Sequence, residues 1–161
     1  MRRFGSLVVF IGLVALAAGI GSQFMPGEWY RSLNKPSWNP PNWLFGPVWT
    51  TLYVMIAIAG WLVWRSDGPR RQAMLSFWGG QLVLNAMWSW LFFGLKRPDL
   101  AMIDIVWLWL VIGTFTIGTW RLKRSASLLF IPYWIWVTFA SVLNFAIWRL
   151  NARLIMAGII S

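Results

Sequence analysis

Tryptophan, tyrosine and amide side chains recur along this chain at spacings that bring them to one face of a helix. Three sets have members mostly three or four residues apart: Trp49, Tyr53, Ile56 and Gly60; Gln81, Asn85, Trp88 and Ser89; Trp136, Ala140, Leu143 and Asn144. Indole rings offer flat apolar walls, and a few amides offer fixed hydrogen-bonding points. If the three faces meet, they predict a pocket for a flat, largely apolar ligand.

A plainer interpretation is open for each of these residues taken singly. The Gln and Asn side chains are costly to leave unpaired in an apolar environment, so they must either bond across helices or line a wet cavity. Any one Trp could instead face lipid as an interfacial anchor.

The side chains that most polar catalysis requires are missing from the sequence. It contains no His and no Cys, which removes His-dependent triads, thiolate nucleophiles and the usual ligands of zinc and haem iron. Of the four carboxylates, Glu28 and Asp67 belong to loops predicted on opposite sides of a membrane. We therefore predict no catalytic residues and no metal site.

Asp104 is the one carboxylate inside a predicted membrane span. An acid at such a position is a functional candidate by default. The alternative is a structural acid that reaches the membrane interface or pairs with an Arg.

Composition indicates which elements carry these residues. Of the 161 residues, 59% are hydrophobic and 11% are charged, whereas about a quarter of a soluble domain is charged. Apolar runs of at least ~18 residues recur along the chain. We predict an all-α fold, an integral membrane bundle of five transmembrane helices in a single domain over 1–161. The spans are predicted at about 4–25, 42–65, 71–95, 99–120 and 125–149, with a long first loop over 26–41.

The net charge of +10 is distributed as a membrane protein requires. Arg and Lys residues lie at the ends of the apolar runs, where they can reach the interface and contact anionic lipid. No basic face for nucleic acid results, and we predict no nucleic-acid partner. The side that holds the N-terminus has eight basic residues against six opposite, which favours a cytoplasmic N-terminus.

The first span begins like a signal peptide, with Arg2 and Arg3 before an apolar run, but further spans follow it and we predict that it is retained. Gly5, Gly12 and Gly19 lie seven residues apart on one of its faces. Such a stripe allows close helix contact, either within the bundle or between two copies of the chain.

The first loop and the start of the second span are rich in Pro and Trp. Pro fixes φ and removes a backbone donor, so the connection is stiff. Trp38 and Trp43 lie within it. Two interpretations are open: a lid over a ligand, or an aromatic anchor at the interface.

Several of these segments resemble the TspO/MBR family, the tryptophan-rich sensory proteins, whose mammalian members are the translocator proteins or peripheral benzodiazepine receptors. The matching segments are KPSWNPPNW at 35–43, GPVW at 46–49, GQLVLN at 80–85, FFG at 92–94, PYWIW at 132–136 and LNFAIWR at 143–149. They occur in order and cover nearly the whole chain.

The resemblance implies a five-helix bundle with a pocket beneath the first loop. Family members bind porphyrins such as protoporphyrin IX and, in many cases, benzodiazepine-type drugs, and no cofactor is required. Carried over by motif, the implied ligand-binding residues are Trp49, Tyr53, Asn85, Trp88, Trp136, Ala140 and Leu143 in the walls, with Trp29, Trp38 and Trp43 near the mouth.

Our main hypothesis is therefore a tetrapyrrole-binding membrane sensor or regulator that also accepts such drugs. The alternatives are a porphyrin or sterol transporter and a light-dependent porphyrin-degrading enzyme. Sterol binding is weakly supported, because Phe145 replaces the Tyr of the family's sterol pattern. We expect a multi-pass protein of the bacterial cell membrane, or of the outer membrane as in some relatives, that forms a homodimer.

Overall fold

The structure is a computed structural model that describes residues 2–24 and 26–156. Its helices are α1 (Arg2–Ser22), α2 (Glu28–Ser32), α3 (Asn42–Trp64), α4 (Arg71–Ser89), α5 (Pro98–Thr119) and α6 (Arg124–Met156), with a π-helical segment over Trp90–Gly94. The described residues are helix, turn or loop, as the all-α prediction requires.

The helices follow the predicted spans closely, with three differences. The first loop contains the short helix α2, and α6 extends beyond the predicted end at 149. The third span is an α-helix that widens into the π segment, where Leu95 N–H donates to Trp90 O at 2.8 Å. Met25 of the predicted first span, and residues 1 and 157–161 of the predicted domain, lie outside the described residues.

Four of the described helices, α1, α3, α5 and α6, are long and apolar enough to cross a membrane by length and composition. The helix α4, which we also predicted as a span, is not among these four. Polar residues such as Gln72, Gln81 and Asn85 reduce its apolar character. Because α4 packs against α1, α3 and α5, part of its polar surface faces protein rather than lipid.

Close helix contacts occur where glycine leaves room for an indole ring. A Cβ atom added at Gly60 of α3 would lie 2.4 Å from Trp78 Cε2 of α4, and one at Gly113 of α5 would lie 2.7 Å from Trp134 Cζ2 of α6. Trp78 is buried, and its Nε1 donates to Ile56 O at 2.8 Å. These two positions hold α3 against α4 and α5 against α6.

The glycine stripe of α1 faces away from the bundle. Added Cβ atoms at Gly5, Gly12 and Gly19 would have no neighbour within 4 Å. Phe10 and Val14 carry the inward face instead. Packing of the stripe within the bundle, one of our two interpretations, is therefore wrong.

The buried residues form two groups, a main core and a smaller cluster beneath the first loop. The main core includes Phe10, Ile56, Trp78, Phe115, Phe130 and Tyr133. We call the smaller one the loop-end cluster: its buried members are Tyr30, Leu33, Phe92, Ala101, Leu143 and Ile147. It joins α2 and the first loop to the π segment, α5 and α6. Most of the candidate site belongs to or packs against the main core.

Candidate functional site

A chain of hydrogen bonds between tyrosine and amide side chains links three helices. The Tyr53 hydroxyl of α3 donates to Asn85 Oδ1 of α4 at 3.3 Å, and Asn85 Nδ2 donates to the Tyr133 hydroxyl of α6 at 3.2 Å. The Tyr133 hydroxyl donates in turn to Gln81 Oε1 at 3.0 Å. We call Tyr53, Gln81, Asn85 and Tyr133 the tyrosine–amide centre. Its amides bond across helices, which is one of the two roles predicted for them.

Trp49 forms an aromatic wall over this centre. Its ring lies 5.3 Å from that of Tyr53, tilted by 32°, and 6.1 Å from that of Tyr133 in an edge-to-face arrangement. Of the predicted ligand-binding residues, Trp49, Tyr53 and Asn85 are therefore in one place. They present an indole face beside a row of polar atoms.

Trp136 and Ala140 of α6 pack against the same main core, both half-buried. The Trp136 ring lies 5.8 Å from Phe45 at the start of α3 and 5.6 Å from Phe139. Trp38 of the first loop meets the same Phe139 at 5.9 Å. The first loop and the start of α3 therefore cover the outer edge of the site.

An apolar groove of about 490 Å³ opens where Trp38 meets α6, between Trp38, Ile135, Phe139 and Val142. The groove contains almost no polar surface apart from Thr138. Phe139, which lines the groove, also contacts the ring of Trp136, so the groove ends close to that ring.

Trp29, Trp88 and Leu143 belong to a second group, at the loop-end cluster. Trp88 stacks on Phe92 at 5.0 Å, and Trp29 meets the same ring at 5.9 Å. Trp88 Nε1 donates to Asn144 Oδ1 at 3.0 Å. Trp88 also packs against the main core, so it connects the two groups.

Trp43, also predicted near the mouth, lies at the start of α3 and is 72% exposed. The structure does not bring it into the tyrosine–amide centre or into the loop-end cluster.

The first loop is fastened to the far end of α6. Asn151 Oδ1 accepts from Asn34 N–H at 2.9 Å, and Asn151 Nδ2 donates to Asn34 O at 2.8 Å. Within the loop, the Tyr30 hydroxyl donates to Asn39 Oδ1 at 3.4 Å. Burial raises the pKa of Tyr30, and the hydrogen bond to Asn39 opposes part of that rise. The Tyr30 hydroxyl therefore remains a neutral donor at physiological pH.

Asp104 is buried in α5, and its carboxyl group has no hydrogen-bond or ion-pair partner among the described residues. It is 4% exposed, and neither carboxyl oxygen has a hydrogen-bond partner among the described residues. Within the part of the chain that the structure describes, the one ion pair joins Arg97 Nη2 to Asp99 Oδ2 at 2.6 Å and does not involve Asp104. Interface contact and Arg pairing, our structural alternatives for Asp104, are therefore both wrong.

Two residues of this region were missed by the sequence analysis. Tyr133, which is fully buried and central to the hydrogen-bond chain, lies three residues before Trp136, so helical spacing could have identified it. Asn151 lies beyond 149, the predicted end of the last span, and no signal in the sequence indicated that it contacts the first loop.

The model of the TspO/MBR family matches residues 7–149. Protein CrtK of Rhodobacter capsulatus is 42% identical over 145 residues, covering 89% of this chain and 91% of that protein. The tryptophan-rich protein TspO of Chlorobaculum tepidum is 42% identical over 155 residues, covering 93% and 98%. The translocator protein of Homo sapiens is 36% identical over 143 residues, covering 85% of each chain. The tyrosine–amide centre falls within the residues that the family model matches.

Proposed function

The chain belongs to the TspO/MBR family, and from that premise we propose that it is a membrane sensor or regulator that binds a tetrapyrrole such as protoporphyrin IX. The family membership and the all-α membrane fold predicted from the sequence are confirmed. The names of relatives, tryptophan-rich sensory protein and translocator protein, support a sensing or transport role in a membrane. The proposed ligands include benzodiazepine-type drugs, which likewise combine flat rings with a few polar groups.

The observation that carries this proposal is the juxtaposition of the Trp49 ring with the tyrosine–amide centre. A porphyrin is a flat π-system with carboxylates along one edge. Indole and phenol rings stack on such a face, whereas hydroxyl and amide donors bind a polar edge. In the proposed complex, Trp49 and Trp136 contact the macrocycle, and the Asn85 amide exchanges a tyrosine partner for the ligand.

The first loop covers this site and must shift for a large ligand to enter. Trp38 lies against Phe139, and Phe45 lies against Trp136. Displacing these two edge contacts would extend the apolar groove toward Trp136. Trp38 and Trp43 are exposed, so both indoles are placed to meet a ligand that arrives from the membrane interface.

The test is a titration of the purified protein with protoporphyrin IX, followed by the absorbance of the bound porphyrin. We expect the double variant Trp49→Ala/Trp136→Ala to bind at least about tenfold more weakly, since removing stacked rings costs about 1 kcal/mol or more at each. The matched control is Trp64→Ala/Trp107→Ala, which removes two exposed indoles on the outer surface. Equal affinity of wild type and the Trp49/Trp136 variant would show that the site assignment is wrong.

Transport of a porphyrin or a sterol is the second candidate, favoured by the 36% identity to a human protein named translocator protein. It would require that the ligand leave the site on the other side of the bundle. Vesicles containing the protein should then release trapped porphyrin faster than protein-free vesicles. Equal rates would eliminate transport and leave sensing.

We further propose that two copies associate through the outward glycine stripe of α1 in the bacterial cell membrane. The stripe has open space around it, and small residues let helices approach closely in lipid. Replacing Gly12 with Leu should reduce dimer formation in chemical cross-linking of native membranes, and an unchanged dimer fraction would place the contact elsewhere.

A further inference from the structure

A second cleft lies at the end of the bundle opposite the first loop. Its volume is about 400 Å³, and it is formed where the chain enters α4, leaves α5 and enters α6. Arg70 and Arg121 line it, together with Ser127, Ile117 and Trp120. The two arginines come from different connections, so the cleft depends on the folded bundle rather than on one basic segment.

The cleft lies in a strongly basic and poorly neutralised region. Eight of the 14 basic residues belong to this end of the bundle, whereas Asp67 is its one carboxylate in the sequence. Among the described residues, the ion pair is at the opposite end, between Arg97 and Asp99. The guanidinium groups of Arg70 and Arg121 are therefore available for an external anion.

Guanidinium groups are particularly suited to phosphate. Their planar donors match the oxygens of a phosphate in pairs, and they are less strongly hydrated than an ammonium. Two of them on one cleft, with no carboxylate in its lining, favour a phosphate group over a neutral ligand.

The rest of the lining distinguishes a lipid from a soluble phosphate. Ile117 is 69% exposed on the outer surface of α5, and Trp120 is 43% exposed at the end of the same helix. The Arg124 guanidinium lies 4.7 Å from the centre of the Trp120 ring. An apolar surface that continues from the arginines along a membrane-spanning helix fits an acyl chain, which a soluble anion does not have.

We infer that this cleft binds an anionic phospholipid, with the headgroup phosphate between Arg70 and Arg121 and an acyl chain along Ile117. Basic pockets between membrane helices bind lipid headgroups in this way. The site is independent of the tetrapyrrole site, since it lies at the other end of the bundle. A lipid bound there would bridge the ends of α4 and α5.

Native mass spectrometry of the full chain in a neutral detergent tests the inference. Phosphatidylglycerol and phosphatidylcholine are added separately, and bound lipid is counted. We expect wild type to retain phosphatidylglycerol preferentially. The variant Arg70→Gln/Arg121→Gln should bind it about tenfold more weakly, because each basic residue contributes on the order of a fewfold to tenfold in affinity.

The matched control is Arg149→Gln/Arg153→Gln, which removes the same charge from exposed positions at the opposite end. Its affinity for phosphatidylglycerol should stay within about twofold of wild type. Equal losses in both double variants would mean diffuse attraction rather than a site, and equal binding of phosphatidylcholine would exclude phosphate-charge recognition. Displacement of phosphatidylglycerol by inorganic phosphate at similar concentration would assign the cleft to a soluble anion. Each of these three outcomes overturns the inference.

Discussion

Asp104 is the residue whose environment is least favourable for its chemistry. The carboxyl group is buried in a membrane helix and has no described hydrogen-bond partner. A buried polar group without a partner costs about 1–3 kcal/mol on the scale of protein substitutions. A carboxyl group at such a position is a candidate for a functional role.

We expect Asp104→Leu to raise the free energy of unfolding by about 1–3 kcal/mol, because it removes an unpartnered polar group and keeps a similar volume. Thermal unfolding in detergent measures the change. Asp104→Asn is the control. Because its amide also needs hydrogen-bond partners, the free energy of unfolding should rise less in this variant than in Asp104→Leu. A lower stability of the Leu variant would mean that the carboxyl group has a stabilising partner in the folded protein.

Asn85 accepts one and donates one hydrogen bond within the tyrosine–amide centre. Hydrogen bonds between membrane helices average about 0.6 kcal/mol, so Asn85→Leu should lower stability only slightly. Its affinity for protoporphyrin IX should fall several-fold, because the amide is the proposed polar contact. Porphyrin titrations and melting curves of the same preparations separate the two effects.

Asn144→Leu is the matched control for Asn85→Leu. Asn144 also makes two bonds to neighbouring elements, accepting from Trp88 Nε1 and donating to Pro98 O at 2.8 Å. It should lose similar stability while keeping porphyrin affinity. If Asn85→Leu lowers melting temperature and leaves affinity unchanged, Asn85 is only an interhelical contact.

Helix contacts in this protein depend on where a glycine faces, not on how many glycines a helix has. Gly60 meets the buried Trp78 ring, whereas the glycines of the α1 stripe meet nothing within 4 Å. At Gly60 the space left by the small residue is filled by the large side chain of a neighbouring helix. The contact between α3 and α4 therefore depends on the absence of a side chain at Gly60.

We expect Gly60→Ala to destabilise the protein by about 1–3 kcal/mol, the usual cost of an extra methyl group in a packed core. Trp78 cannot retreat freely, because its ring is buried and its Nε1 donates to Ile56 O. The control Gly79→Ala in α4, where an added Cβ has no neighbour within 4 Å, should cause no loss. A melting temperature for Gly60→Ala equal to wild type would mean that the Trp78 ring adjusts without cost.

At the level of elements, hydrophobic runs predicted most of the fold. The starts of α3 and α5 lie within a residue of the predicted positions, with Pro41 directly before α3 and Pro98 as the first residue of α5. Hydrophobic runs do not distinguish the π segment from an α-helix, and its Phe92 packs into the loop-end cluster, whose members are distant in the sequence. The part of α6 beyond 149 brings Asn151 to its partner Asn34, which is 117 residues away in the sequence.

At the level of the whole molecule, the two ends of the bundle differ in chemistry. The end beneath the first loop is aromatic, and the opposite end is basic. Helical spacing predicted that Trp49, Tyr53 and Asn85 would meet, because those residues lie on inward faces. Spacing could not show that Trp88 and Trp29 form a separate group, since that depends on how the first loop folds back over the π segment.

The first loop should become more mobile in the variant Asn151→Ala, which loses both hydrogen bonds to Asn34. Two hydrogen bonds contribute about 0.5–1.5 kcal/mol each, so their loss should raise the equilibrium constant for local opening of the loop roughly tenfold or more. Hydrogen–deuterium exchange should show faster exchange of loop amides around residues 33–39 at this scale. Amides in the middle of α5 serve as the internal control and should be unchanged.

Unaltered loop exchange in Asn151→Ala would mean that the aromatic contacts of Tyr30 and Trp38 hold the loop without the Asn pair.

The pairing of Asn34 with Asn151 also sets an order of events during biosynthesis. The chain grows from its N-terminus at about 5–20 residues per second, and Asn151 is made 117 residues after Asn34. Synthesis of α3, α4, α5 and most of α6 therefore takes on the order of ten seconds before Asn151, the residue that holds the loop, is made. A nascent chain that lacks α6 also lacks Tyr133 and Trp136 of the proposed site. The last helix therefore completes the site and secures its loop together, so a ligand present in the membrane at that stage can be enclosed as the bundle closes.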